Sequence, residues 1–94
     1  MQWNWDKEKA AANIQKHKVP FDLAALALND PFSLTELDLH PDGDRWNVLC
    51  QFNGVTLFVV VAWSELTNSE TGRIISARKA TASERRQYDE SWQS

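Results

Sequence analysis

Most side chains that could bind an anion or move a proton lie in two basic segments of an acidic chain. The chain of 94 residues has a net charge of -3, yet residues 73–88, "RIISARKATASERRQY", hold five of its ten basic side chains against one acid. Residues 1–18 hold four lysines against two acids, and residues 19–72 hold one arginine against eight acids. A fold that brings residues 1–18 and 73–88 together would form one positively charged surface. Alternatively, the acidic side chains of residues 19–72 neutralise both basic segments in the folded protein.

These side chains are the parts that a metal-independent cleavage of RNA requires. In that reaction the 2′-OH attacks the adjacent phosphate, a base removes its proton, an acid protonates the leaving 5′-oxygen, and cations stabilise the charge at phosphorus. Histidine suits the proton transfer, and arginine or lysine suits the anion. The same types bind other anions equally well. The candidates are Lys16, His17, Lys18, Arg45, Arg73, Arg78, Lys79, Arg85 and Arg86, with Glu36, Asp38 and Tyr88 as acid, base or hydrogen-bonding groups.

Each candidate also has a purely structural interpretation. His17 can stabilise the C-terminal end of a helix, Arg45 can pair with an acid of the middle segment, and Arg85 can belong to a solvated helix face. Arg78 and Lys79 fit such roles least well, because two cations at a strand end precede a helix whose N-terminal N–H groups attract anions. Binding of another anionic ligand at this pair is therefore a further alternative.

Several other functional classes find no support in the sequence. Cys50 is the single cysteine, which rules out an intrachain disulfide and favours a reducing compartment. His17 and His40 lie far apart, and the three glycines are isolated, so we expect no metal, no cofactor and no phosphate-binding loop. The longest apolar run, "VTLFVVVAW", is too short for a membrane helix, and the first residues lack a signal peptide. We expect a cytoplasmic protein without membrane contact.

Two helices are predicted in the first third of the chain. Asp6 can cap the first, which ends near His17, because Pro20 disfavours helix at the residue before it. Pro20 suits the first turn of a second helix, which the Asp-Pro pair at 30–31 ends. The alternation "WNW" at 3–5 predicts a short strand that leads into the first helix.

The clearest predicted element is a β-hairpin around the Asn-Gly pair at 53–54. Pairing Phe52 with Val55 makes one face of the hairpin entirely apolar, and a slip of one residue would destroy this pattern. Cys50 falls on the apolar face. We therefore interpret it as a core residue rather than as a nucleophile paired with a histidine.

Further strands and a last helix complete the predicted fold. Residues 33–39, "SLTELDL", and residues 73–79, "RIISARK", alternate as strands, and the second alternation puts Arg78 on one face with Ile74 and Ser76. A Ser/Thr-x-x-Glu capping box at 81–84 starts the C-terminal helix. The sequence thus predicts one α+β domain over residues 1–94, with an antiparallel sheet of three to four strands, two N-terminal helices and one C-terminal helix.

Five stretches carry a family resemblance, in order along nearly the whole chain. They are "WNWDKEKAAANIQKHKVPFDLAA" at 3–25, "NDP" at 29–31, "DRW" at 44–46, "LFVVV" at 57–61 and "RIISARKATASERRQY" at 73–88. On them the chain resembles the BrnT family, toxins of bacterial type II toxin–antitoxin modules with a RelE-like ribonuclease fold. The last stretch is the most specific of the five.

The resemblance implies a function and its partners. It implies metal-independent cleavage of RNA that arrests translation, and neutralisation by a ribbon-helix-helix antitoxin of the BrnA type. It also implies that the toxin–antitoxin complex represses its own operon and contacts operator DNA through the antitoxin. A catalytically weak or inactive module, which binds the antitoxin and serves only in this autoregulation, is the alternative.

The resemblance also carries over site residues. We expect His17, Arg45 and Arg78 to be catalytic, with His17 moving the proton and the arginines holding the phosphate. The expected RNA-binding residues are Lys16, Lys79, Arg85 and Tyr88. In this arrangement the end of the first helix approaches the end of strand 73–79, with Arg45 adjacent. The chain departs from the family pattern where Lys18 replaces a usual glycine, Pro20 replaces a serine or threonine cap, and an arginine after the "VTLFVVVAW" strand is missing.

Overall fold

The computed structural model describes residues 2–38, 45–63 and 71–93, which form five strands and three helices. In chain order these are β1 (Gln2–Asn4), α1 (Lys7–His17), α2 (Phe21–Ala27), β2 (Leu34–Asp38), β3 (Arg45–Phe52), β4 (Val55–Ala62), β5 (Thr71–Lys79) and α3 (Ala82–Gln93). The fold is α+β. His40 and Leu39, the last residue of the strand predicted at 33–39, lie outside the described residues.

The strands form one mixed sheet in the order β1-β5-β4-β3-β2. β1 pairs in parallel with β5, and the other pairs are antiparallel. The sequence predicted three to four antiparallel strands. The sheet has five, and the additional strand is the N-terminal β1, which makes the sheet mixed. The "WNW" pattern indicated that strand, but its partner lies almost seventy residues away, and a local pattern does not identify so distant a partner. Trp3 packs so closely over Gly72 that a Cβ at this position would clash with the indole ring.

The hairpin of β3 and β4 has the predicted register. Phe52 pairs with Val55, and the pairing continues without a shift to Arg45 opposite Ala62. Asn53 and Gly54 both have positive φ angles, 52° and 80°, as the predicted tight turn requires. The hairpin prediction is confirmed.

Local signals also set the helix boundaries. The Asp6 carboxylate accepts hydrogen bonds from the N–H groups of Glu8 and Lys9 and so caps α1. The helix ends at His17, and Lys18 follows it in the left-handed conformation with φ 61°. Pro20 stands just before α2, and α2 ends at Ala27, three residues earlier than predicted, with a turn at 28–33 after it.

Helices α1 and α2 cover one face of the sheet, and the core lies between them. This face carries the apolar side of the hairpin, with Leu57 and Val59 almost fully buried. Cys50 is fully buried there, and burial raises the pKa of its thiol to about 12. The interpretation of Cys50 as a core residue is confirmed.

A β-bulge in β5 changes which residues share a face. The register against β4 shifts between Val60 and Val61, so Ile74 faces the core together with Ala77, whereas Ser76 and Arg78 face the other side. The prediction that Ile74 and Arg78 share a face was wrong, because one extra residue reverses the alternation beyond it.

The opposite side of the sheet, here called the α3 face, is only partly covered by α3. Three rows of paired residues run across it. The first row is Leu34, Leu49, Phe58 and Arg78; the second is Glu36, Asn47, Val60 and Ser76; the third is Asp38, Arg45, Ala62 and Arg73. Most of the polar and charged side chains of the sheet therefore lie on this face.

Candidate functional site

Arg78 lies at the end of β5 on the α3 face and is held by contacts with Glu84, with Phe58 and with the Lys79 carbonyl, which accepts a hydrogen bond from its Nη1 at 3.3 Å. Its guanidinium donates two hydrogen bonds to the Glu84 carboxylate, at 2.8 and 3.0 Å. It also lies 4.2 Å from the centre of the Phe58 ring. The hydrogen bonds with Glu84 raise the pKa of Arg78 and lower the pKa of Glu84 to about 2. The guanidinium is thus fixed in place and paired with a carboxylate.

Glu84 caps α3 as well as pairing with Arg78. Its carboxylate accepts a hydrogen bond from the Thr81 N–H at 2.8 Å, and the Thr81 hydroxyl accepts one from the Glu84 N–H at 3.2 Å. The predicted capping box is confirmed. It occupies N–H groups of the helix N-terminus that were expected to attract an anion, so this end of α3 offers fewer free N–H groups than predicted.

Lys79 points to the other side of β5 from Arg78. Lys79 pairs with Leu57 on the core side of the sheet, and it lines a depression of about 230 Å³ together with Arg85 of α3 and the hairpin turn. The Ala80 N–H donates to the Thr56 carbonyl and closes this region. The structure therefore brings Lys79 and Arg85 together, whereas Arg78 and Lys79 are not one combined anion site.

Asn13 connects the end of α1 to β5. Its side-chain amide donates to the carbonyls of Val19 and Ala77, at 2.9 and 2.8 Å, and its carbonyl accepts from the Ala77 N–H at 3.2 Å. Lys16 and His17, three and four residues later, lie on the same side of the helix as Asn13. Because Ala77 immediately precedes Arg78, this contact joins the two basic segments at the backbone of β5, with α1 on the core side of the sheet and the Arg78 side chain on the α3 face.

Arg45 lies apart from the other predicted catalytic residues. It pairs with Ala62 in the third row of the α3 face, whereas Arg78 pairs with Phe58 in the first. Four residues of β4 separate the rows, which is about 13 Å along the strand. The expectation that Arg45 is adjacent to Arg78 was therefore wrong. The antiparallel register decides this, since the start of β3 lies at the opposite end of the sheet from the end of β5.

Tyr88 is 3% exposed and anchors α3. Its hydroxyl donates a hydrogen bond to the Asp30 carboxylate, which also accepts from the backbone N–H groups of Gln51 and Phe32. Burial and this carboxylate raise the pKa of Tyr88. The residue thus joins α3 to the turn after α2.

The sequence interpretation missed Asn13 and Asp30 as organising residues. Both lie within the stretches that carry the family resemblance, the first three residues before the Lys-His pair and the second in "NDP". A polar residue on the packed side of a helix is a signal for a buried contact. The sequence did not identify the hydrogen-bond partner of either residue, because Ala77 lies 64 residues from Asn13 and Tyr88 lies 58 residues from Asp30.

A groove of about 390 Å³ lies between α3 and the sheet, here called the α3 groove. Its lining includes the apolar side chains Leu49 and Phe58 and the polar side chains Glu36, Asn47, Glu84 and Gln87. Among the residues that the structure describes, no donor reaches the buried Asn47 Oδ1 atom. Asn47 therefore lines the groove near Glu84, and its buried Oδ1 atom has no partner among the described residues.

Two further features bear on the class of protein. Within the described ranges 2–38, 45–63 and 71–93, no three His, Cys, Asp or Glu side chains are grouped so that they could hold a metal ion. In the same part of the chain, no helix has both the length and the apolar character needed to cross a membrane.

Residues 5–84 match the family model described as the ribonuclease toxin, BrnT, of type II toxin–antitoxin systems. A search of curated proteins found no match to the chain. The matched range includes Lys16, His17, Arg45, Arg78 and Lys79, whereas Arg85 and Tyr88 lie just beyond it.

Proposed function

Since this chain belongs to the BrnT family of ribonuclease toxins of type II toxin–antitoxin systems, we propose that it cleaves RNA without a metal ion and thereby inhibits translation. A ribbon-helix-helix antitoxin of the BrnA type silences it, and operator DNA is contacted through that antitoxin. The observation that carries the proposal is the Asn13–Ala77 contact, which ties the helix end with Lys16 and His17 to the strand end with Arg78.

The proposed reaction uses these side chains as proton-transfer group and anion clamp. His17 exchanges a proton with the reacting oxygens as the 2′-oxygen bonds to phosphorus and the bond from phosphorus to the 5′-oxygen breaks. The products are a 2′,3′-cyclic phosphate and a free 5′-hydroxyl. Arg78 stabilises the negative charge that grows on the phosphate in the transition state. Lys16 and Lys79 hold the neighbouring RNA backbone.

The remaining candidates take supporting roles. Arg45 lies on the same face as Arg78 but about 13 Å along the strand direction, so we assign it to a more distant part of the RNA backbone. Arg85 adds positive charge beside Lys79. The hydroxyl of Tyr88 is already donated to Asp30. We therefore assign Tyr88 to positioning α3, and with it Glu84, rather than to direct contact with RNA.

Expression of the chain alone under a tight promoter tests the proposal. We expect growth arrest, relieved by His17→Ala and by Arg78→Ala at equal levels of soluble protein. Purified protein should cleave RNA in the presence of a chelator and leave cyclic phosphate ends. Arg86→Ala is the matched control, because Arg86 is exposed and lies half a helix turn from Glu84. Arrest that survives both site substitutions would contradict the assigned site.

A second candidate function has one specific observation in its favour. The Arg78 charge is matched by Glu84 in the free chain, so a phosphate must compete with a carboxylate that is already in place. A module that binds the antitoxin and regulates the operon, with weak or no nuclease activity, fits this arrangement. Soluble folded protein that neither arrests growth nor cleaves RNA, yet binds its antitoxin, would establish this function instead.

A further inference from the structure

The α3 groove has the size and lining of a subsite for one nucleobase. Its volume of about 390 Å³ falls in the range of small-ligand pockets, about 300–1,000 Å³. Leu49 and Phe58 give it an apolar surface against which a planar ring can pack. The Arg78 guanidinium lies 4.2 Å from the centre of the Phe58 ring, so a nucleotide whose base packed beside Phe58 would bring a flanking phosphate toward that guanidinium.

The polar lining of the groove includes the carboxylates of Glu36 and Glu84 and the side-chain amides of Asn47 and Gln87. Glu36 and Asn47 are directly opposed in the β2–β3 pairing and lie on the same face, so their Cβ atoms are about 5 Å apart. The Asn47 Oδ1 atom is buried without a donor from the described residues. An acceptor in this state destabilises the free protein. A ligand can relieve that cost only if the Asn47 amide turns so that its Oδ1 atom meets a donor in the groove.

We infer that the α3 groove binds a guanine base of the RNA substrate, and this inference rests on the proposed function. Guanine carries two neighbouring donors, the N1–H group and the 2-amino group, on its Watson–Crick edge. The Glu36 carboxylate lines the groove, and a turn of the Asn47 side-chain amide toward the groove would add a neighbouring acceptor, so that both donors can be taken. Adenine and cytosine present a single amino group on that edge, and uracil presents a single N–H. The groove cannot hold the phosphate itself, because Glu36 and Glu84 repel it.

Binding to uncleavable RNA tests the inference separately from catalysis. The probes are short labelled 2′-O-methyl oligonucleotides of uridine with one guanosine or one inosine, which lacks only the 2-amino group, and their binding is followed by fluorescence anisotropy. We expect the guanosine probe to bind about ten times more tightly than the inosine probe, as loss of one hydrogen bond to an acceptor of this kind implies. Equal affinity for guanosine, inosine and uridine probes would overturn the inference.

Matched variants show whether the groove causes this preference. Glu36→Gln should bring the guanosine-to-inosine ratio close to one, whereas Asp38→Asn, the next residue of β2 on the same face, removes the same charge and should leave the ratio unchanged. Asn47→Leu should also abolish the preference while making the fold more stable, which a purely structural asparagine would not do. A ratio that survives Glu36→Gln and Asn47→Leu contradicts the subsite.

The outcomes separate this inference from the proposed function. A guanine preference without cleavage of unmodified RNA supports the subsite and contradicts the nuclease. Cleavage without any base preference supports the nuclease and contradicts the subsite. If no probe binds and Glu36→Gln instead weakens antitoxin binding, the groove holds a cationic antitoxin side chain, and the inference is wrong.

Discussion

Two helices are held to neighbouring residues of β5 by different chemistry. Asn13 of α1 makes three hydrogen bonds in a buried position, two of them to the backbone of Ala77. Glu84 of α3 binds the side chain of Arg78 in a bidentate ion pair, and the two side chains are 21% and 35% exposed. The first contact involves no ionisable group, whereas the second depends on charge and is open to solvent.

The difference separates the permanent framework from the part that can respond to a ligand. Neutral buried hydrogen bonds are insensitive to salt and to pH, and breaking them leaves backbone groups unsatisfied. A partly exposed ion pair contributes little stability and is weakened by salt. We therefore expect α1 to stay on β5 under all native conditions, and the Arg78–Glu84 pair to be the contact that an incoming phosphate changes.

The largest effect is expected from removing the buried contact. Asn13→Ala leaves the Ala77 N–H and two carbonyls without a partner, so we expect the free energy of unfolding to fall by about 2–4 kcal/mol. Urea denaturation followed by tryptophan fluorescence measures this. Asn29→Ala, at an exposed position after α2, is the control and should change stability by less than about 0.5 kcal/mol. A loss below about 1 kcal/mol for Asn13→Ala would contradict the comparison.

A smaller effect is expected from neutralising Glu84. Glutamine can still cap α3, so Glu84→Gln removes the charge of the ion pair and should cost about 1 kcal/mol at neutral pH. Because the pKa of Glu84 is lowered from 4.5 to about 2, its contribution is complete above pH 4.5 and is lost as the pH falls toward 2. The stability difference between the two proteins should disappear over that window.

Glu90→Gln is the matched control for the ion pair, since Glu90 is exposed on the same helix. It should change neither the stability at neutral pH nor the acid transition between pH 4.5 and 2. A wild-type protein and a Glu84→Gln variant with parallel acid transitions would show that the pair does not stabilise the fold.

The smallest effect concerns the residue that ends α1. Lys18 has a φ of 61°, a conformation that costs a side chain with a Cβ about 1–2 kcal/mol and costs glycine almost nothing. After the greater entropy of glycine in the unfolded chain is subtracted, Lys18→Gly should stabilise the protein by about 0.5–1 kcal/mol. Lys16→Gly, inside the helix, should destabilise it by a similar amount. Opposite signs in thermal denaturation would confirm the left-handed cap.

Local sequence patterns determined the elements whose partners are close in the chain. The Asn-Gly pair fixed the turn and register of the hairpin, because both positions take positive φ and the alternation on each side permits one pairing. Asp6 set the start of α1, and the Thr81–Glu84 box set the start of α3, because a cap bonds to N–H groups within three residues. The family stretches selected the candidate site residues.

The tertiary structure alone decided which distant residues meet. It placed β1 beside β5, reversed the faces of β5 at the bulge, separated Arg45 from Arg78, and turned Tyr88 inward onto Asp30. It also joined Asn13 to Ala77. These contacts depend on how layers pack and on the register between strands, and a one-residue shift in either moves a side chain to the other face. Composition and spacing selected the candidate residues. The packing and register of the sheet determined which of them lie close together.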